Sequence, residues 1–84
     1  MTRKSNLKWL NEQIREEHGN KLKEKDLLIS SGCDSFGVTM VLLAINGGYG
    51  IYTAEDTKKG LYCGRERDKL KIKHILDDIE NDSK

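Results

Sequence analysis

The chain has 84 residues, 35% charged and 36% hydrophobic, with a formal net charge of +1. That length allows one domain built on a single modest core, and so much charge describes a soluble chain. No apolar run approaches the roughly 18 residues a membrane span needs. The start, Met1-Thr2-Arg3-Lys4-Ser5, leads into polar residues where a signal peptide would be apolar, so a cytoplasmic location is expected.

Leu7, Leu10 and Ile14 recur at helical spacing among charged residues and predict a helix over 5–18. Ser5 or Asn6 would cap it, Gly19-Asn20 would stop it, and Trp9, off the apolar stripe, belongs at the core edge. Lys21 to Ser31 reads as a connection whose Leu22, Leu27, Leu28 and Ile29 dip into the core. A second helix is predicted over 35–46. It is apolar almost all round, hence the most buried element, and ends at Gly47-Gly48. Tyr49-Gly50-Ile51-Tyr52 is an irregular crossing with Ile51 buried, or else a short strand. Thr53 caps a brief helix over 54–59 that Gly60 ends. Tyr62 to Asp68 reads as a polar loop. Ile72, Ile75, Leu76 and Ile79 then mark a final helix over 70–80, followed by a flexible tail, 81–84. The expected architecture is all-α: a four-helix bundle with a short third helix.

Cys33 and Cys63 are too few for a disulfide framework and lack metal-site spacing, so both are expected as free thiols, Cys33 as a small apolar filler. Charge is unevenly distributed. Residues 1–25 are rich in Lys and Arg, 26–57 contain none, and 58–73 carry Lys58, Lys59, Arg65, Arg67, Lys69, Lys71 and Lys73. The middle stretch holds only acids (Asp26, Asp34, Glu55, Asp56), so a basic partner surface is expected to be steered there.

Gly32-Cys33-Asp34-Ser35-Phe36 stands at the threshold of the second helix. In one reading, Asp34 or Ser35 is simply an N-cap. In the other, Ser35 carries a phosphate-linked group, an anion that a helix start favours through its dipole and free N–H groups. His18 and His74 sit in polar helical surroundings with nothing to link them to Ser35 or Cys33, so no catalytic set is expected.

Gly32-Cys33-Asp34-Ser35-Phe36-Gly37 resembles the attachment box of the acyl carrier protein family, in the Phe-Gly variety found among D-alanyl carriers. Val41-Leu42-Leu43-Ala44-Ile45, then Tyr49-Gly50-Ile51, Glu55-Asp56 and Ile75 to Ile79, resemble in order the family's second helix, the chain after it, its third-helix opening and its final helix. The resemblance implies a non-enzymatic carrier with 4′-phosphopantetheine attached covalently to Ser35. A phosphopantetheinyl transferase would install the arm, which would hold an acyl or aminoacyl thioester for loading and unloading enzymes, as in fatty acid biosynthesis. It implies that Asp34 contacts the modifying enzyme or orients the loop. Phe36, Val38, Met40, Glu55 and Asp56 become partner contacts or, for the apolar three, part of an acyl pocket, though at least one of Phe36, Val38 and Met40 reads better as ordinary core and the two acids read equally as a solvated first turn. The chain departs from the family pattern in having no acid between Asp34 and Glu55, which points to a dedicated partner. A monomer is expected, with no nucleic acid, no metal and no membrane span. The alternatives are an unmodified helical adaptor that offers its second helix to a partner, or nucleic-acid binding through 58–73.

Overall fold

Thr2 opens the first helix: its hydroxyl accepts the Ser5 N–H at 3.1 Å and satisfies one of the donors every helix start leaves without an internal partner. The computed structural model describes residues 2–82. In chain order it contains α1 (Arg3–Glu16), α2 (Ser35–Tyr49), α3 (Ala54–Lys59), an antiparallel pair β1 (Leu61–Tyr62) and β2 (Arg65–Glu66), and α4 (Ile72–Asp82). Single 3-10 turns lie at Leu28–Ser31 and Arg67–Lys69. The domain is mostly helical, with a small sheet where an all-α chain was expected.

The cap on Thr2, in place of Ser5 or Asn6, moves the start of α1 forward to Arg3. Its end comes at Glu16, before His18, whose φ of 64° is left-handed while the Gly19 N–H returns to the Ile14 carbonyl at 2.9 Å. The connection that follows is tied to α1 through Asn11. Its side chain donates to the Leu22 carbonyl at 3.1 Å and accepts the Leu22 N–H at 2.8 Å. Leu22 and Leu28 are buried as expected and Leu27 is half-buried, but Ile29 stays 41% exposed on the outer side of the 3-10 turn.

The expected stop at Gly47-Gly48 does not occur; α2 runs through both glycines to Tyr49. The reason is tertiary. A Cβ on Gly48 would lie 3.2 Å from the Trp9 ring, so the glycine lets the indole close onto the helix. Trp9 and Tyr49 then meet edge to face at 5.0 Å, and the Tyr49 hydroxyl donates to buried Asn6 at 3.1 Å. These contacts hold the last turn against the low helix propensity of glycine. Gly50, with φ 74°, ends the helix, and its N–H reaches the Asn46 carbonyl at 2.9 Å. Nor is α2 buried all round. Val38, Val41, Leu42 and Ile45 face the core, while Phe36 is 70% and Leu43 48% exposed.

Ile51 is buried as expected. Thr53 and Asp56 form a reciprocal capping box for α3, and Gly60 ends it. The segment expected as a polar loop is instead a two-residue hairpin, Leu61 opposite Glu66 and Tyr62 opposite Arg65. Cys63 and Gly64 take φ of 52° and 83°, the paired left-handed conformation that matches strand twist in such turns. Tyr62 is buried edge-on to Tyr52, with ring centroids 5.3 Å apart. The Tyr52 hydroxyl donates to buried Asp78 at 2.6 Å, and Arg65 reaches the same carboxylate at 3.4 Å.

The start of α4 falls two residues later than expected because the chain before it pairs with the first connection. Leu28 donates to the Leu70 carbonyl at 2.8 Å, Ile72 to that of Asp26 and Lys73 to that of Glu24, both at 2.9 Å. Ile72, Ile75, Leu76 and Ile79 are all buried, each contributing about 1.5–3 kcal/mol relative to an exposed position. Asn81 and Asp82, expected in a flexible tail, continue the helix; Ser83 and Lys84 lie outside the described residues. No helix among the described residues is long and apolar enough to cross a membrane.

Candidate functional site around Ser35

Asp34 has extended backbone, φ −73° and ψ 179°, and its carboxylate accepts the Gly37 N–H at 2.7 Å. Asp34 is therefore the N-cap, and Ser35 is the first helical residue, exposed and without capping duty. The first turn of α2 is set close to the end of α1. A Cβ on Gly37 would lie 3.0 Å from the Cys33 Cβ and 3.5 Å from that of Glu17. Half-buried Cys33 points its thiol at the Glu17 carbonyl, 3.5 Å away, which agrees with its filler role.

The Ser35 hydroxyl accepts a hydrogen bond from Arg67 Nη2 at 3.1 Å. Arg67 Nη1 donates to Thr39 Oγ1 at 3.2 Å, and that hydroxyl donates to the Ser35 carbonyl at 3.0 Å. Arg67 directly follows β2 and opens the 3-10 turn. Its carbonyl accepts the N–H of fully buried Leu70 at 3.3 Å, and the Leu70 carbonyl is in turn bonded to Leu28. The hairpin, anchored by Tyr62, therefore delivers a cation to a segment with no Lys or Arg of its own. The segment itself is as acidic as its sequence, but Arg67 from outside it reaches Ser35, so charges segregated along the sequence are brought together in space.

Sequence reasoning missed both Arg67 and Thr39 as site residues. Arg65 and Arg67 stand two apart in Arg-Glu-Arg, and only the hairpin register decides that one turns to Asp78 and the other to Ser35. A guanidinium remains protonated and cannot take the hydroxyl proton. It favours an anionic group placed at Ser35.

Of the expected contact residues, Phe36 and Met40 are exposed, and with Leu43 they occupy helical spacing on the outer side of α2. Val38 is 3% exposed and belongs to the core, which removes it from any contact surface. A cavity of about 300 Å³ beside this stripe is lined by Glu16, Glu17, Met40 and Leu43, among others. Glu55 is exposed on α3, whereas Asp56 is engaged in its capping box. A larger concavity, about 800 Å³, follows α1 between Lys4, Lys8, Asn11, Arg15 and Lys21, and contains none of the expected site residues. Exposed Cys63 lies in the hairpin turn, where partial desolvation and the nearby Asp78 carboxylate push its thiol above the usual 9.0.

No family model, curated protein or solved structure matches the chain.

Proposed function

We propose that the domain is a carrier, a four-helix bundle with a short third member, that accepts 4′-phosphopantetheine on Ser35 and presents the attached acyl or aminoacyl thioester to partner enzymes. The observation that carries this reading is an exposed hydroxyl at the start of the longest helix, relieved of capping by Asp34 and facing a guanidinium. The site fits the group. It is open on the outside and offers a cation to a phosphodiester. When bound, the arm would supply the thiol that forms the thioester. Asp34 fixes the backbone beneath the attachment oxygen, and the packed helices keep that oxygen at a constant place, so that a tethered group meets partner sites at high effective concentration.

Loading would be performed by a phosphopantetheinyl transferase. The Ser35 oxygen forms a bond to phosphorus of coenzyme A, the bond to adenosine 3′,5′-bisphosphate breaks, and the hydroxyl proton passes to the transferase. Phe36, Met40 and Glu55, all exposed, are the candidate contacts for this enzyme and for those that load and unload the cargo. The test is intact mass and peptide mapping after incubation with coenzyme A, magnesium and a broad-specificity transferase. One phosphopantetheine is expected on Ser35 and none on Ser35→Ala. A folded protein that gains no mass, both in this reaction and when isolated from its native source, overturns the reading.

The exposed Phe36, Met40 and Leu43 stripe favours a second reading, an unmodified adaptor that binds a partner helix along α2. Nucleic-acid binding through 58–73 is less favoured, because Arg65, Arg67 and Lys69 already face Asp78, Ser35 and Glu66.

A further inference from the structure

We infer that Arg67 is a positioning residue that pins the phosphate of any group esterified to the Ser35 oxygen, with Thr39 holding the guanidinium in place; the inference rests on the carrier reading of Ser35. Two independent features point to it. The first is aim: one arm of the guanidinium fork is fixed on Thr39 at 3.2 Å, which leaves Nη2 on Ser35 Oγ at 3.1 Å. The second is charge. Arg3 pairs with Glu24, Asp77 and Glu80, and Arg65 pairs with Asp78, yet among the described residues no carboxylate forms an ion pair with half-buried Arg67. A cation left without a counter-ion, and held by Thr39 against a hydroxyl, suits an anion borne on that hydroxyl.

The chemistry is complementary. A phosphate ester on Oγ places its non-bridging oxygens two bonds from the atom Arg67 already touches. Charge-assisted hydrogen bonds from a planar guanidinium to such oxygens are shorter and stronger than those to a neutral hydroxyl. Arg67 is carried by backbone bonded at Leu70 and Leu28, so the fork is set before the phosphate arrives and little order is lost on binding. The phosphate would be held against the body of the domain, and the arm beyond it would leave in one direction instead of swivelling about the serine side chain.

The test does not need a transferase. Phosphoserine installed at position 35 during translation is titrated by phosphorus NMR, in the otherwise unchanged chain and with Arg67→Gln. With Arg67 present, the second ionisation, ordinarily near pH 6, is expected at lower pH, by roughly three- to tenfold in proton affinity. Arg67→Lys should recover only part of the difference, since an ammonium lacks the fork. In the unmutated arginine protein, the Arg67 guanidinium nitrogens should also shift as the phosphate ionises, which keeps the test valid should Arg67→Gln fail to fold. Identical titrations, or guanidinium signals indifferent to the phosphate, overturn the inference. Intact mass after coenzyme A treatment separates the two claims. Absence of loading alongside an Arg67-dependent phosphate titration strikes only the carrier reading, and loading alongside an Arg67-independent titration strikes only the clamp.

Discussion

Asp34 and Ser35 are adjacent, both polar and both capable of capping, yet the structure gives them different work. Because Asp34 accepts the Gly37 N–H, Asp34→Ala should cost about 0.5–2 kcal/mol in urea denaturation. Ser35→Ala, at an exposed position with only the Arg67 contact to lose, should stay within about 0.5 kcal/mol of the parent. The reverse order would assign the cap to the wrong residue. The sequence marks this pair as a helix threshold and cannot divide the roles, because the cap depends on the backbone angles of Asp34. Arg67 was less legible still. Its link to Ser35 exists only through a hairpin whose turn begins with Cys63, a residue that rarely signals a left-handed conformation.

Elements were legible where periodicity is strict. The apolar positions of α4, Ile72, Ile75, Leu76 and Ile79, are all buried, and the Thr53 cap and Gly60 stop of α3 stand where they were expected. The start of α2 at Ser35 was legible too, but both ends of α1 and the far end of α2 were not, since Thr2 takes the cap of one helix and Trp9 packs over Gly48 near the end of the other. The two glycines of α2 therefore differ in kind. A Cβ on Gly47 meets nothing within 4 Å, whereas one on Gly48 would crowd the indole. Gly47→Ala should raise stability by about 0.5–1 kcal/mol, read as a higher denaturant midpoint with an unchanged slope. A loss would mean that the helix is not continuous through this turn.

For the molecule as a whole, groups titrating on the acid side and on the alkaline side bound a plateau of stability. Desolvation, with Arg65, Lys73 and Lys71 nearby, lowers His74 below the usual 6.5. The unfolded chain thus takes up that proton first, and stability falls as pH drops below 6.5 through the folded value. Desolvation and Asp78 raise Cys63 above 9.0 and Tyr52 above 10.0, and there the unfolded chain loses its protons first, so stability also falls as pH rises beyond 9.0. Denaturant midpoints across this range should be flat between the two limits. His74→Gln should flatten the acid side, and an unaltered acid slope in that variant would remove His74 as its cause. At the same scale, Arg3 joins the start of α1 to Glu24 in the connection and to Asp77 and Glu80 on α4, binding together three stretches far apart in sequence.

The seam between α1 and α2 carries an optical consequence. The chain has one tryptophan, and its ring lies on Gly48 with Tyr49 edge-on at 5.0 Å. Emission excited in that single indole therefore originates where the two helices meet, beside a tyrosine close enough to pass excitation to it. A partner that levers α2 away from α1 alters the colour and polarisation of this light, while one that settles on α3 leaves it unchanged, so the protein brings its own reporter of where it is being held.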